Sequence, residues 1–226
     1  MASPPDLTAT INAILTTTSD LITLFDLFHP QTMLLRLRLP ANSIAWHKTN
    51  TQLILKSVDG QPLVYPLKAY GFLTAEDKFI RQWTYNIHGA IGQDEESSDV
   101  FIKHSSLSQS LVATAPPQQH DLAGKAMISG IGKVVKVNID NLNEDGEWHL
   151  TLYAEHEAFD PEGRAKIQFV IIYQFGNFSP ELCEMKAIEI ESFMYFQGLF
   201  LRQDVETKRL IVQVVCHTVV QLLPDT

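Results

Sequence analysis

Cysteine is nearly absent from this chain: 226 residues contain only Cys183 and Cys216. Two cysteines make no disulfide framework at this length. Both lie in apolar, strand-like surroundings, where a free thiol behaves as a small buried hydrophobe; a single bridge between them is the alternative. Positive charge is also scarce. Lys and Arg total 17 against 26 Asp and Glu, a formal charge of −9 and a pI near 5.3. That balance argues against the basic face that neutralises phosphates, so no nucleic acid partner is expected. It equally disfavours adsorption to anionic lipid. No apolar run approaches the roughly 18 residues of a spanning helix, and the longest, such as Phe169-Val170-Ile171-Ile172-Tyr173, are strand-sized. The start, Met1-Ala2-Ser3-Pro4-Pro5-Asp6, has no basic region of a signal peptide. The expectation is a cytoplasmic protein with no membrane partner.

Catalytic and cofactor signatures are missing too. Gly130-Ile131-Gly132-Lys133 resembles a phosphate loop, but Val134 stands where Ser or Thr would hold Mg²⁺, and the third Gly of a dinucleotide fingerprint is lacking. These glycines suit a bulge or bend in a strand. Asn141-Leu142-Asn143-Glu144-Asp145-Gly146 imitates a calcium loop, yet Leu152 occupies the position of the bidentate Glu. His156-Glu157-Ala158-Phe159-Asp160 lacks the second His of a zinc helix. No metal and no cofactor is expected.

What the chain does have is a change of hydrophobic period near His29-Pro30. Before it, Leu7, Ile11, Ile14, Leu15, Leu21, Ile22, Phe25 and Phe28 recur at helical spacing. The reading is an amphipathic helical segment over 5–28, with Asp6 as its N-cap after two prolines. After it, apolar residues alternate and Gly, Pro, Asn and Asp mark the breaks. Leu35, Leu37 and Leu39 predict one strand. Asp59-Gly60 between Leu53-Leu55 and Leu63-Tyr65-Leu67 predicts a hairpin, whose second strand Pro62 and Pro66 place at a sheet edge. Another aromatic strand is expected from Phe79 to Ile87. Residues 89–124 read as a long loop excursion with one short strand at Val100-Phe101-Ile102. From Lys125, strands near 133–139, 148–156, 165–175, 185–190, 193–201 and 208–223 suggest an antiparallel meander, with no internal repeat. The fold class is therefore mainly β: an antiparallel β-barrel or β-sandwich, one domain over 1–226, covered by the N-terminal helix. The turn Asp160-Pro161-Glu162-Gly163-Arg164 between two apolar strands resembles one in hotdog-fold acyl-thioester enzymes, although the central helix of that fold is not legible.

One constellation remains for chemistry. His149, Tyr153 and Glu155 share a face of the 148–156 strand and are the catalytic candidates if that face lines a cavity; otherwise they face water. Trp83, Tyr85, Phe169, Tyr195 and His217 are the ligand-binding candidates, against the plainer reading of core packing, with His217 as a hydrogen-bonded core imidazole. Three functions follow: a β shell binding an apolar small molecule such as a lipid, polyketide or isoprenoid; a cofactor-independent isomerase, cyclase or hydrolase in the same pocket; and a homo-oligomer assembled through the 7–28 stripe.

Overall fold

The computed structural model describes residues 5–24, 44–74, 76–94, 96–141, 148–178 and 188–220. Strands account for most of it: β1 (Ala9–Thr17), β2 (Ile22–Leu24), β3 (Ala45–Lys56), β4 (Pro62–Leu73), β5 (Thr84–Gln93), β6 (Val100–Ser105), β7 (Gln109–Ala113), β8 (Met127–Asn141), β9 (Trp148–Asp160), β10 (Ala165–Phe178), β11 (Phe193–Gln203) and β12 (Leu210–Val219). One four-residue helix, α1 (Gln119–Leu122), separates β7 from β8. The chain is mainly β, as expected.

The expected N-terminal helix is instead β1. Leu7, Ala9, Ile11, Ala13 and Leu15 are all buried, a period of two that the alanines conceal when only large apolar residues are counted. The β-branched Thr8, Thr10, Ile11, Ile14, Thr16 and Thr17 favour a pleated backbone. Phe25 and Phe28 lie outside the described residues, as do the strand expected at 35–39 and the thiol of Cys183. β1 is paired along both edges.

Strand pairing closes two barrels. In barrel A the circuit runs β1-β3-β4-β6-β5 and back to β1, with β4 and β6 parallel. In barrel B it runs β8-β9-β10-β12-β11 and back to β8, with β10 and β12 parallel. This is the five-stranded Greek-key barrel of the OB type, and it occurs twice. The parallel pairs correct the expected meander. No central helix of the hotdog kind is present among the described residues, and 89–124 carries the end of β5, then β6, β7 and α1 rather than a loop.

The two barrels share a single sheet through β1 and β8, where Ile11 sits directly opposite Ile128. Their backbone bonds match as well. Thr17 N–H donates to Trp83 O and its carbonyl accepts from Gln82; Val134 does the same with Ser192 and Glu191. Gln82 and Glu191 both have positive φ, 66° and 74°. Ile11 and Ile128 lie equally far back along β1 and β8 from those residues, so a quasi-two-fold axis passes between them. Gly130 is needed at this seam, because a Cβ there would sit 2.7 Å from the Ala9 Cα.

The hairpin at Asp59-Gly60 forms as expected, with Gly60 at φ 79°. Pro62 and Pro66 occupy the part of β4 that β6 does not reach, since β6 pairs only with Lys68 to Phe72. That half of β4 is an edge, and the rest is not.

Candidate functional site

OB-type barrels bind their ligands on the face of the second and third strands, flanked by the loops after strands one and four. In barrel A those strands are β3 and β4. Thr49, Thr51, Leu53, Leu67 and Ala69 point inward and are buried. The alternate residues point outward, and the antiparallel register sets Trp46 opposite Phe72, Lys48 opposite Tyr70, and Asn50 opposite Lys68. Trp46 and Phe72 are in contact, with ring centroids 5.3 Å apart, and Phe72 is 44% exposed. The face therefore presents aromatic surface at one end and two cations further along.

Two turns close over the cation end. In the loop between β5 and β6, the Asp94 carboxylate accepts from Ser97 N–H at 2.6 Å, which holds its pKa below the usual range. From that loop Asp99 pairs with Lys68 at 2.7 Å. The β9–β10 turn of barrel B supplies Glu162. Lys48 Nζ donates to both of its oxygens, at 2.9 and 2.7 Å, and Tyr70 donates its hydroxyl hydrogen to Oε2 at 2.6 Å. Lys48 first, then Tyr70, hold the Glu162 carboxyl below its ordinary pKa, while burial and Glu162 raise that of Tyr70. Lys48, Lys68, Tyr70, Phe101, Asp99 and Glu162 line an open groove of about 370 Å³.

None of these residues was among the candidates from sequence. The signal was present: the Asp59-Gly60 hairpin fixes the pairing of Trp46-x-Lys48 with Tyr70-x-Phe72, and an alternation of aromatic and basic residues on one face is legible once register is known.

The corresponding face of barrel B is different. By the registers of the parallel strand pairs, Thr151, Tyr153 and Ile172 stand where barrel A has Lys48, Asn50 and Lys68. His149, Tyr153 and Glu155 do share the outer side of β9, but alternate residues on a strand are about 7 Å apart, which spreads the three along it. Tyr153 lies under Lys136 Nζ, 4.9 Å from the ring centroid, and Glu155 lines an open groove with Gln93, Gln168 and Arg209.

The expected ligand residues are scattered. Tyr85 is buried, stacked on Phe79 at 4.4 Å, and its hydroxyl accepts from Ile80 N–H at 3.0 Å. Phe169 is buried beside His156, Trp83 packs against the core ahead of β5, and Tyr195 lies on β11 opposite Ile131 and Thr218. His217 is exposed, with the Phe175 ring edge-on at 5.0 Å. It is no core imidazole, because β12 is exposed from Val215 to Thr218. Cys216 is exposed for the same reason. The buried histidines are His47, His104 and His156; His156 Nδ1–H donates to Leu7 O at 3.1 Å and its Nε2 accepts from the Tyr173 hydroxyl at 2.9 Å. No cluster of potential metal ligands occurs among the described residues, and no helix there is long and apolar enough to cross a membrane.

No protein-family model and no curated protein sequence matches the chain. Its fold, however, is similar to crystal structures of the single-stranded DNA binding protein from Thermus aquaticus. A deletion mutant of that protein aligns at TM-score 0.52 and 14% identity, and the wild type at 0.52 and 12%. Both alignments cover 97% of this chain and 96% of the other. These neighbours overturn two expectations, the apolar small molecule and the absence of a nucleic acid partner. The interior agrees with the correction. Tyr173 and Phe196 stack at 4.0 Å inside barrel B, and Leu15, Leu53, Leu55 and Ile87 are fully buried in barrel A, so among the described residues both barrel interiors hold packed side chains. The net charge sums the whole surface and says nothing of any one face.

Proposed function

We propose that barrel A binds single-stranded nucleic acid across its β3–β4 face. The observation that carries this reading is the pair of half-buried Trp46 and exposed Phe72 in line with Lys48 and Lys68 on the face that OB-type barrels use. The likeness of the fold to a single-stranded DNA binding protein supports it. Unpaired bases stack on aromatic rings with little regard for sequence, each worth about 1–3 kcal/mol. Trp46 and Phe72 supply that platform, Lys48 and Lys68 meet phosphates, and the Asn50 and Gln52 amides reach sugar or base edges. In barrel B, with Thr151 and Ile172 in place of the two lysines, contact with the strand is weaker. We infer that residues 1–226 act as one unit, because the two barrels share the β1–β8 pairing and exchange side-chain bonds.

With a charge of −9, long-range attraction to phosphate is absent and stacking carries the affinity. Fluorescence anisotropy with a labelled thymidine oligonucleotide at low salt tests this. A single strand should bind and be competed by unlabelled single strand, while a duplex of the same length should not compete. Equal competition by duplex, or no binding at all, overturns the proposal.

A further inference from the structure

We propose that the β9–β10 hairpin is a built-in competitor for the nucleic-acid face of barrel A, with Glu162 holding the place of a phosphate against Lys48 and Tyr70. This inference rests on the reading of that face given above. A carboxylate and a phosphodiester each present one negative charge and two acceptor oxygens. Glu162 spends both on the groups best placed to meet a backbone phosphate: the Lys48 ammonium, 2.7 and 2.9 Å away, and the Tyr70 hydroxyl, at 2.6 Å.

The carboxylate is delivered by a turn built for the purpose. Asp160 accepts from the backbone N–H of Glu162 at 2.9 Å and of Gly163 at 2.8 Å, and Pro161 is buried. This pre-orders the tip and aims Glu162 across the junction into the other barrel. Tyr70 is only 2% exposed under it. Asp99 covers Lys68 in the same way, so both cations of the face are already neutralised, and Asp94 and Asp160 add further negative charge to the groove.

The plug is displaceable. The Glu162 side chain is 48% exposed and that of Lys48 19%, and ion pairs reached by solvent contribute little, about 0–1 kcal/mol. A strand whose bases stack on Trp46 and Phe72 brings its phosphate to Lys48 and expels the hairpin. The arrangement raises the threshold for binding, so that only strands long enough to gain stacking energy open the site.

Glu162→Gln tests this. Glutamine removes the charge and keeps an acceptor for Tyr70, so the barrel should stay folded, with an unchanged urea midpoint. Binding of a thymidine oligonucleotide should tighten about two- to five-fold, five-fold being the most that a surface pair of this strength gives, and the salt dependence should steepen. Asp160→Ala, which loosens the turn, should act in the same direction, whereas Glu157→Gln on barrel B should leave affinity unchanged. If wild type and Glu162→Gln bind equally, or the variant binds more weakly, the competitor is overturned while the nucleic-acid reading stands. If neither binds at low salt, both fall.

Discussion

Gln93 and Gln203 occupy equivalent places at the ends of β5 and β11, and each donates a side-chain N–H to the other barrel. Gln93 Nε2 reaches Lys208 O at 2.6 Å, and Gln203 Nε2 reaches Ser98 O at 3.1 Å. Ser98 and Lys208 are themselves equivalent, the left-handed residues (φ 60° and 59°) of two turns in which Asp94 caps Ser97 and Asp204 caps Thr207. The exchange joins the barrels as an isologous interface joins two subunits.

Removing one arm of that exchange should cost stability, because Gln93 is buried and its partner carbonyl would lose a bond. Gln93→Ala should lower the unfolding free energy by about 1–3 kcal/mol, read from urea denaturation. An unchanged midpoint would mean that the barrels do not depend on each other there.

Acid should destabilise the fold through its buried histidines. Burial lowers His47, His104 and His156 from the ordinary 6.5 to about 4. A depressed histidine pKa means that the unfolded chain binds more protons between those values. Stability is therefore full above pH 6.5 and is lost as pH falls toward 4, at up to about 1.4 kcal/mol per pH unit for each histidine. Urea midpoints across pH 4–8 check this, and a flat profile contradicts it. Tyr173→Phe, which strands His156 Nε2 in the core, should cost about 1–3 kcal/mol at neutral pH.

Gly89 and Gly198 are another equivalent pair, pressed against the neighbouring strand. An added Cβ would lie 1.9 Å from Lys103 O and 2.2 Å from Gln213 O, and backbone carbonyls cannot yield cheaply. Gly89→Ala and Gly198→Ala should each destabilise by about 1–3 kcal/mol. Gly176→Ala, with nothing within 4 Å, is the control and should be close to neutral in thermal unfolding.

Phe72→Ala should weaken oligonucleotide binding by about 1–3 kcal/mol while barely moving the urea midpoint, since the ring is 44% exposed. Trp46 beside it should report binding by fluorescence quenching. A variant that binds as wild type would place the strand elsewhere.

The salt dependence should be shallow. Two unpaired lysines would give log Kobs a slope near −1.4 against log[salt], about −0.7 for each phosphate on a single strand. With Lys48 held by Glu162 and Lys68 by Asp99, wild type should fall below that limit and Glu162→Gln should move toward it. Lys68→Gln should make the slope shallower still. A slope several times steeper would point to a larger basic surface than this face provides.

Sequence alone determined the strand-rich character, the Asp59-Gly60 hairpin and the common side of His149, Tyr153 and Glu155, because alternation and turn chemistry are local and survive without tertiary information. It misplaced β1, whose small inward alanines disguise a period of two, and His217, whose strand is apolar in sequence but runs out past the core. The repeat was also there to be read, in Gln93-Asp94-x-Glu96-Ser97 and Gln203-Asp204-x-Glu206-Thr207, though five positions in so long a chain stand out only when the barrels are superimposed. Tertiary structure decided the rest. Closure of two barrels fills the interior that period-two strands alone would leave open for a ligand, and it sets Trp46, Lys48, Lys68, Tyr70 and Phe72 side by side from separate strands. It also brings Glu162 across from the other barrel, a contact between residues 114 apart in sequence that no local pattern encodes, because it depends on the pairing of β1 with β8.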